Sequence, residues 1–201
     1  MKNTLTLVGF GLLFWGAPML RNTAMAQSQK QAQAKPQLEG PSKQSTRRTT
    51  ALMADEVRHQ LVTLPFYGVF DWLEGEVQPD GTVVIRGEVT HPTTKSDAEK
   101  RLKSIESVAR VTNQIEVLPL SQNDDQIRRQ IYNAIFRFDS PLFQYALRAV
   151  PPIHIIVKGG HVTLKGIVMN SMDRQLAEIA ARGVPGVFDV KNELKVESSA
   201  R

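Results

Sequence analysis

The sequence predicts an α+β fold of two tandem helix-strand-strand-helix-strand units, each a three-stranded mixed sheet with two helices on one face. The first observation is an internal repeat, because residues 81–117 match residues 160–196 without a gap and with ten identical positions. The second is the period-two alternation of apolar residues within each copy, which is typical of strands with one buried face. The third is a helical apolar stripe after each alternating segment. A gapless match of this length indicates a duplicated domain.

The composition narrows the possible functions. The chain has 201 residues, no cysteine and a formal net charge of +5. The absence of cysteine excludes disulfides, thiolate metal sites and cysteine nucleophiles. The charge is unevenly placed, since residues 55–119 carry a net charge of −4 and residues 124–197 a net charge of +2. The second repeat is therefore the better partner for an anionic surface.

The N-terminus has the pattern of a secretory signal peptide. Lys2 precedes an apolar run that ends near Trp15, and the small-x-small sequence Ala24-Met25-Ala26 follows. This order predicts a signal peptide over residues 1–26 that is cleaved after Ala26. The alternative is an uncleaved membrane anchor. Residues 27–54 are polar and basic, and they are predicted to form a disordered linker.

Repeat 1 is predicted to span residues 55–119. Its first helix begins with Asp55 as N-cap and ends at Pro65. A strand over residues 72–77, a turn, and a strand to Thr90 form a hairpin. A helix over about 93–105 and a strand over 110–118 complete the unit, so that strand-helix-strand connects two parallel strands.

Repeat 2 is predicted to span residues 120–197 in the same order, with ten extra residues between its first helix and its first strand. Ser140-Pro141 resembles an N-cap followed by proline at the first helical position, so a short added helix is predicted over about 140–150. In the hairpin that follows, the Gly159-Gly160 turn should place Lys158 opposite His161 and His154 opposite Lys165.

Six residues of the repeated motif have a structural interpretation: Gly81, Gly87, Asn113, Gly160, Gly166 and Asn192. Gly87 and Gly166 fall on the apolar side of their strands, where glycine usually marks the close approach of another backbone. We expect the neighbour to be the helix that follows. A lone glycine does not form a ligand site.

A search for catalytic and metal-binding patterns gives none. His154 and His161 should lie on the helix-free face of the sheet, about 13 Å apart, which is too far to share a metal. The paired acids at residues 55–56 and 124–125 stand at helix starts, where acids stabilise the helix dipole. The sequence lacks phosphate-binding loops and the motifs of hydrolases and metalloproteases. It also lacks a basic module of the kind that binds nucleic acid. We therefore expect no enzymatic activity, no cofactor and no metal.

The insertion and its approach combine aromatic rings with arginines. Such residues suit an interface in which rings enter lipid and guanidinium groups meet phosphate. The candidate lipid-binding residues are Phe136, Arg137, Phe138, Phe143, Tyr145 and Arg148. The alternative is that these apolar side chains extend the small core.

The repeated motif resembles the BON domain, a family named for bacterial osmotically inducible periplasmic and nodulation-related proteins. The resemblance rests on G-x-V-x-[IL]-x-G-x-V, the Ala-Glu helix and V-x-x-V-x-N-x-[IL]-x-V, and it covers nearly all of residues 55–197. It implies an α/β sandwich, a location in the cell envelope, binding to phospholipid surfaces and no catalysis. The matching residues are core residues, so the resemblance transfers no functional site.

Two functions follow as hypotheses. The first is a periplasmic or secreted module that binds anionic phospholipid through repeat 2 and supports envelope integrity under osmotic stress. The second is a protein-interaction or scaffold module that meets an envelope partner through its sheet faces and the acidic repeat 1.

Overall fold

The computed structural model describes residues 43–197, with side chains from residue 48 onward. The predicted signal peptide, its cleavage site and the linker up to residue 42 lie outside these residues. Repeat 1 contains α1 (Lys43–Val62), β1 (Trp72–Val77), β2 (Thr82–Val89), α2 (Pro92–Lys103) and β3 (Arg110–Val117). Repeat 2 contains α3 (Gln122–Ile135), α4 (Phe143–Ala146), β4 (Ile153–Lys158), β5 (His161–Val168), α5 (Ser171–Arg182) and β6 (Asp189–Val196).

Each repeat forms its own three-stranded mixed sheet, in the orders β1-β2-β3 and β4-β5-β6. The hairpin strands pair antiparallel and the last strand joins parallel to the middle one. The predicted cross-strand pairs of His154 with Lys165 and of Lys158 with His161 are both present. The predicted α+β class and the mixed sheets are confirmed.

The two long helices of each repeat cover one face of its sheet, because each helix has one apolar stripe to bury. The core of repeat 1 includes Val57 of α1, Ile85 of β2 and Leu102 of α2. The core of repeat 2 includes Ile131 of α3 and Leu164 of β5 at the equivalent places. We call the opposite side of each sheet its helix-free face.

Helix α1 begins at Lys43, twelve residues before the predicted N-cap Asp55. Met53 accounts for part of the extension, since it is buried in the core one helical turn before Val57 and two turns before Leu61. Residues 43–50 are all polar or charged, so no apolar stripe marks the first part of this helix in the sequence. The segment predicted as a disordered linker up to residue 54 is therefore helical from residue 43.

Two of the identical positions fasten a helix to the last strand of each repeat. The Asn113 side chain donates to the Lys95 carbonyl at 3.1 Å and to the Glu99 carboxylate at 3.0 Å. Asn192 donates to the Glu178 carboxylate at 3.1 Å in the same way. A buried or half-buried amide that satisfies both a helix carbonyl and a carboxylate explains why the asparagine and glutamate recur together.

The neighbour predicted for the strand glycines is wrong. A Cβ at Gly87 would lie 1.9 Å from the carbonyl oxygen of Trp72, and a Cβ at Gly166 would lie 1.8 Å from that of Pro152. The adjacent backbone therefore belongs to the start of the hairpin's first strand, not to the following helix. The φ angles of 135° and 126° also lie in the region that favours glycine.

The added helix of repeat 2 is shorter than predicted. Helix α4 spans only Phe143–Ala146, and Leu142 occupies its N-cap position. Ser140 accepts a hydrogen bond from the Leu142 backbone N–H at 3.1 Å, so its hydroxyl closes a turn that precedes the helix. The insertion is mostly irregular and is held by contacts of individual side chains.

The helix-free faces of the two sheets are turned toward each other. Val84 of repeat 1 and Ile156 of repeat 2 both point away from their helices, and both are buried. Both repeats also belong to one compact unit.

Among residues 43–197, no helix has the length and apolar character of a membrane span.

Candidate functional site

The insertion of repeat 2 and its approach carry three apolar side chains that are exposed or half-buried, namely Phe138, Phe143 and Leu147. The rings of Phe138 and Phe143 are 5.2 Å apart in an edge-to-face arrangement. Phe138 is 87% exposed and Leu147 is 74% exposed, whereas Phe143 is half-buried. Exposed rings fixed by a partly buried neighbour form an apolar surface at low conformational cost. We call these three residues the insertion surface.

Two arginines lie next to the insertion surface in the chain, and they differ in their surroundings. Arg137 makes a bidentate pair with Asp139, at 3.0 and 2.6 Å. The hydrogen bonds that Arg137 donates to Asp139 raise the pKa of Arg137 and lower the pKa of the Asp139 carboxyl. Arg148 is exposed and makes no ion pair with any residue of the described range. Arg148 is therefore more available than Arg137 to bind an anionic group.

The structure separates the six predicted lipid-binding residues into two groups. Phe136 is buried and its ring lies 4.9 Å from that of Tyr132. Tyr145 is also buried; its hydroxyl donates to Asp173 at 2.6 Å and accepts from the backbone N–H of Met169 at 2.8 Å. These two rings hold the insertion onto the core. The exposed or half-buried members are Arg137, Phe138, Phe143 and Arg148, and lipid contact by them stays a prediction.

The acidic repeat 1 and the basic repeat 2 form ion pairs with each other. Lys165 lies 3.1 Å from the Glu88 carboxylate, and Lys158 lies 2.5 Å from that of Glu116. The Lys165 pair is largely shielded from solvent, so salt screens it less than an exposed pair. The opposite charges of the repeats therefore help to hold the repeats together. Lys158 and Lys165 of repeat 2 are paired with carboxylates of repeat 1 in this way.

The loop before β1 adds a further contact between the repeats. The carbonyl of Val69 accepts a hydrogen bond from the Ile155 backbone N–H at 2.8 Å, so the loop pairs with the edge of β4. The Phe70 ring contacts the Tyr132 ring of α3 at 6.3 Å. The free edge strand of a sheet is a hazard for aggregation, and this loop covers part of the edge at β4.

His154 is buried between the repeats instead of lying on an open surface. Its ring centroid lies 5.5 Å from that of Tyr67 and 5.1 Å from that of Trp72. Burial lowers the pKa of His154, because the charged imidazolium would lose its hydration. The predicted position on the helix-free face is correct, but the other repeat covers that face.

Two buried carboxylates had not been singled out from the sequence for the contacts that they make. Asp124 accepts hydrogen bonds from the backbone N–H groups of Gly159 and Gly160, at 2.8 and 2.9 Å, and thus fixes the β4–β5 turn. Asp71 accepts from the Thr90 backbone N–H at 2.6 Å. In the sequence, Asp124 and the Gly159-Gly160 turn lie far apart within repeat 2, so the sequence gives only a weak signal of their contact. The fold brings them together. Both carboxylates are occupied by backbone donors and have no free access to a substrate.

Metal-binding geometry is not found in the part of the chain that the structure describes. No group of three or more histidine and carboxylate side chains comes together there. His161 contacts the Asp189 carboxylate and packs against the Phe188 ring at 5.7 Å. These contacts give His161 a surface structural role.

Comparisons with known proteins give one family and several similar solved structures. Two structures of CdsD, a structural protein of the type III secretion system of Chlamydia trachomatis, are similar to the chain. The C-terminal domain is 10% identical with a TM-score of 0.26, over 72% of this chain and 96% of that one. The second structure is 12% identical with a TM-score of 0.26, over 73% of this chain and 92% of that one. At this level of similarity neither structure bears on function. No curated protein matches the chain.

The family model of the BON domain matches the chain twice, over residues 73–119 and 123–198. These matches coincide with the two sheets and with the helices that follow their hairpins. They cover more than half of the sequence. The chain belongs to the BON-domain family and contains two tandem BON domains.

Proposed function

We propose that this chain is a non-catalytic, exported BON-domain protein that binds anionic phospholipid at the cell envelope through the insertion surface of repeat 2 and supports envelope integrity under osmotic stress. The single observation that carries the proposal is the Phe138–Phe143 ring pair, whose Phe138 ring is exposed, with Leu147 and Arg148 in the same insertion. BON domains occur in periplasmic proteins, which supports an envelope location.

The chemistry of the insertion surface fits the boundary of a bilayer. An apolar side chain that enters the acyl region contributes roughly 25 cal/mol for each Å² removed from water. Phe138 and Leu147 are exposed in the free protein, so they have that area to contribute. Arg148 can meet a lipid phosphate at the same depth as the rings, because its side chain is long and its fork matches phosphate oxygens.

Arg137 has a smaller part in this proposal than Arg148. Its charge is offset by Asp139, and a lipid phosphate would have to compete with that bidentate pair. The alternative function, a protein-interaction module that uses the sheet faces, has less area available, because Val84, His154 and Ile156 are already buried between the repeats.

Co-sedimentation of residues 27–201 with phosphatidylglycerol vesicles tests the proposal. Binding should weaken but persist when the ionic strength rises from low salt to 0.5 M, because salt screens the arginine–phosphate attraction and leaves apolar burial intact. Replacing Phe138 and Leu147 together by serine should remove the salt-resistant part of the binding. Arg148→Glu should remove most of the salt-sensitive part.

Matched controls lie elsewhere in repeat 2. Ile179 and Phe188 are 66% and 75% exposed but lie outside the insertion, so replacing both by serine should leave vesicle binding unchanged. Arg129→Glu, at an exposed arginine of α3, controls for the charge change. If residues 27–201 do not sediment with anionic vesicles at low salt, the protein-partner function replaces lipid binding.

A further inference from the structure

A cleft with a volume of about 910 Å³ lies between the two repeats. Helix α1 and the edge strand β1 line it from repeat 1. The end of β5, the end of β6 and residues 145–152 line it from repeat 2. Clefts of this size at the junction of two domains are typical places for a small ligand.

The lining of this cleft is mostly apolar, and some of its side chains are not covered by any residue between 43 and 197. Val62, Ile167 and Met169 line it and are 47%, 53% and 49% exposed. Buried side chains such as Leu61 and Val168 lie beneath them. An elongated apolar ligand would therefore remove three exposed apolar side chains from water at one place.

The charged residues of the cleft favour an anionic end on that ligand. On the repeat 1 side the lining carries two cations, Arg58 and Arg86, and two carboxylates, Glu74 and Glu76, so its charges balance. Arg86 lies 3.2 Å from the Glu76 carboxylate. On the repeat 2 side, Lys195 and Arg148 make no ion pair with any residue between 43 and 197.

Lys195 and Arg148 both lie close to the exposed apolar side chains. Lys195 is the register partner of Ile167 on the adjacent strand. Arg148 lines the same cleft as Tyr145 and Met169, and the Met169 backbone N–H donates to the Tyr145 hydroxyl at 2.8 Å. The exposed carboxylate of Glu197 shares the rim with these two cations and does not pair with either.

We propose that this cleft binds one anionic single-chain amphiphile, of the long-chain fatty acid class. The acyl chain would lie along Val62, Ile167 and Met169, and the carboxylate would lie between Arg148 and Lys195. This site shares Arg148 with the proposed membrane contact, but its apolar lining does not include Phe138, Phe143 or Leu147. It takes a single molecule and not a membrane surface.

Fluorescence titration of residues 27–201 with cis-parinaric acid, followed by displacement with palmitate, tests the proposal. Replacing Ile167 and Met169 together by serine should weaken the apparent Kd by roughly tenfold or more. The matched control replaces Ile179 and Met172 by serine; these are the same residue types, 66% and 62% exposed, outside the cleft. The control should bind as tightly as the native chain. Equal affinities in the native chain, the cleft variant and the control would overturn the proposal.

The proposed contact between the ligand carboxylate and the two cations is tested with the same protein. Palmitate methyl ester, which lacks the charge, should displace cis-parinaric acid from the native protein much less well than palmitate does. Replacing Arg148 and Lys195 by glutamate should remove this preference. Equal displacement by acid and ester in the native chain contradicts the assignment. The Phe138 and Leu147 serine variant separates the two proposals, because it should keep the fluorescent ligand even where vesicle binding is lost.

Discussion

Gly166→Ala should destabilise the protein by about 4 kcal/mol or more, an effect large enough to abolish folding of repeat 2 in a protein of ordinary stability. The added Cβ would lie 1.8 Å from the Pro152 carbonyl oxygen. Relief requires displacement of β4, whose Ile153 pairs with Gly166 and is fully buried. The φ of 126° adds strain of about 1–3 kcal/mol for any residue with a side chain. Gly87→Ala should have a similar effect in repeat 1.

Gly159 provides the control for this prediction. It also has a positive φ, of 60°, but a Cβ built there meets no atom within 4 Å. Gly159→Ala should therefore cost only about 1–2 kcal/mol, the usual penalty of a left-handed alanine. Urea unfolding of the three variants checks the expectation. Equal losses at Gly159 and Gly166 would show that the carbonyl contact does not decide the cost.

Asp71→Ala should destabilise the protein by about 2–4 kcal/mol, because it removes a buried acceptor and leaves two half-buried backbone donors unpaired. Asp71 is only 2% exposed. Its carboxylate accepts from Thr90 through the backbone N–H at 2.6 Å and the hydroxyl at 2.9 Å, and from the Gly68 N–H at 3.0 Å. These bonds hold the loop that carries the Val69 carbonyl to β4. The contact between the repeats should therefore loosen together with the loop.

Asp80 is the matched control, since it accepts the same pair of bonds from a threonine. The Thr82 N–H and hydroxyl donate to it at 2.9 and 3.0 Å. Asp80 is exposed, so water can replace its oxygens. Asp80→Ala should have a much smaller effect in the same urea unfolding experiment. Hydrogen exchange of the Ile155 amide should increase in the Asp71 variant only, and unchanged protection there would contradict the proposed role of the loop.

The strands were predictable because their signals are local. The predicted bounds of β1, residues 72–77, are those of the structure, and β3 differs by one residue at its end. Period-two alternation and glycine turns set these limits without help from distant residues. The second sheet was predictable from the internal repeat, because the segments of repeat 2 that match strands of repeat 1 should also form strands.

The packing between the repeats could not be predicted from either repeat alone. His154 carries no signal that distinguishes a surface residue from one enclosed by Tyr67 and Trp72. The same limit applies to the insertion. Phe136 and Phe138 are separated by one residue, yet one ring is buried and the other is 87% exposed. Only the chain reversal after α3 determines which ring faces the core.

The most direct test of membrane contact through the insertion surface is the fluorescence of a single tryptophan at position 138. Residues 27–201 contain Trp72 alone, so a chain with Trp72→Phe and Phe138→Trp reports only on the insertion. Vesicles of phosphatidylglycerol with brominated acyl chains should shift its emission to shorter wavelength and quench it. The equivalent chain with Phe188→Trp should show neither change. Unchanged emission at position 138, under conditions in which the chain sediments with these vesicles, would contradict the account.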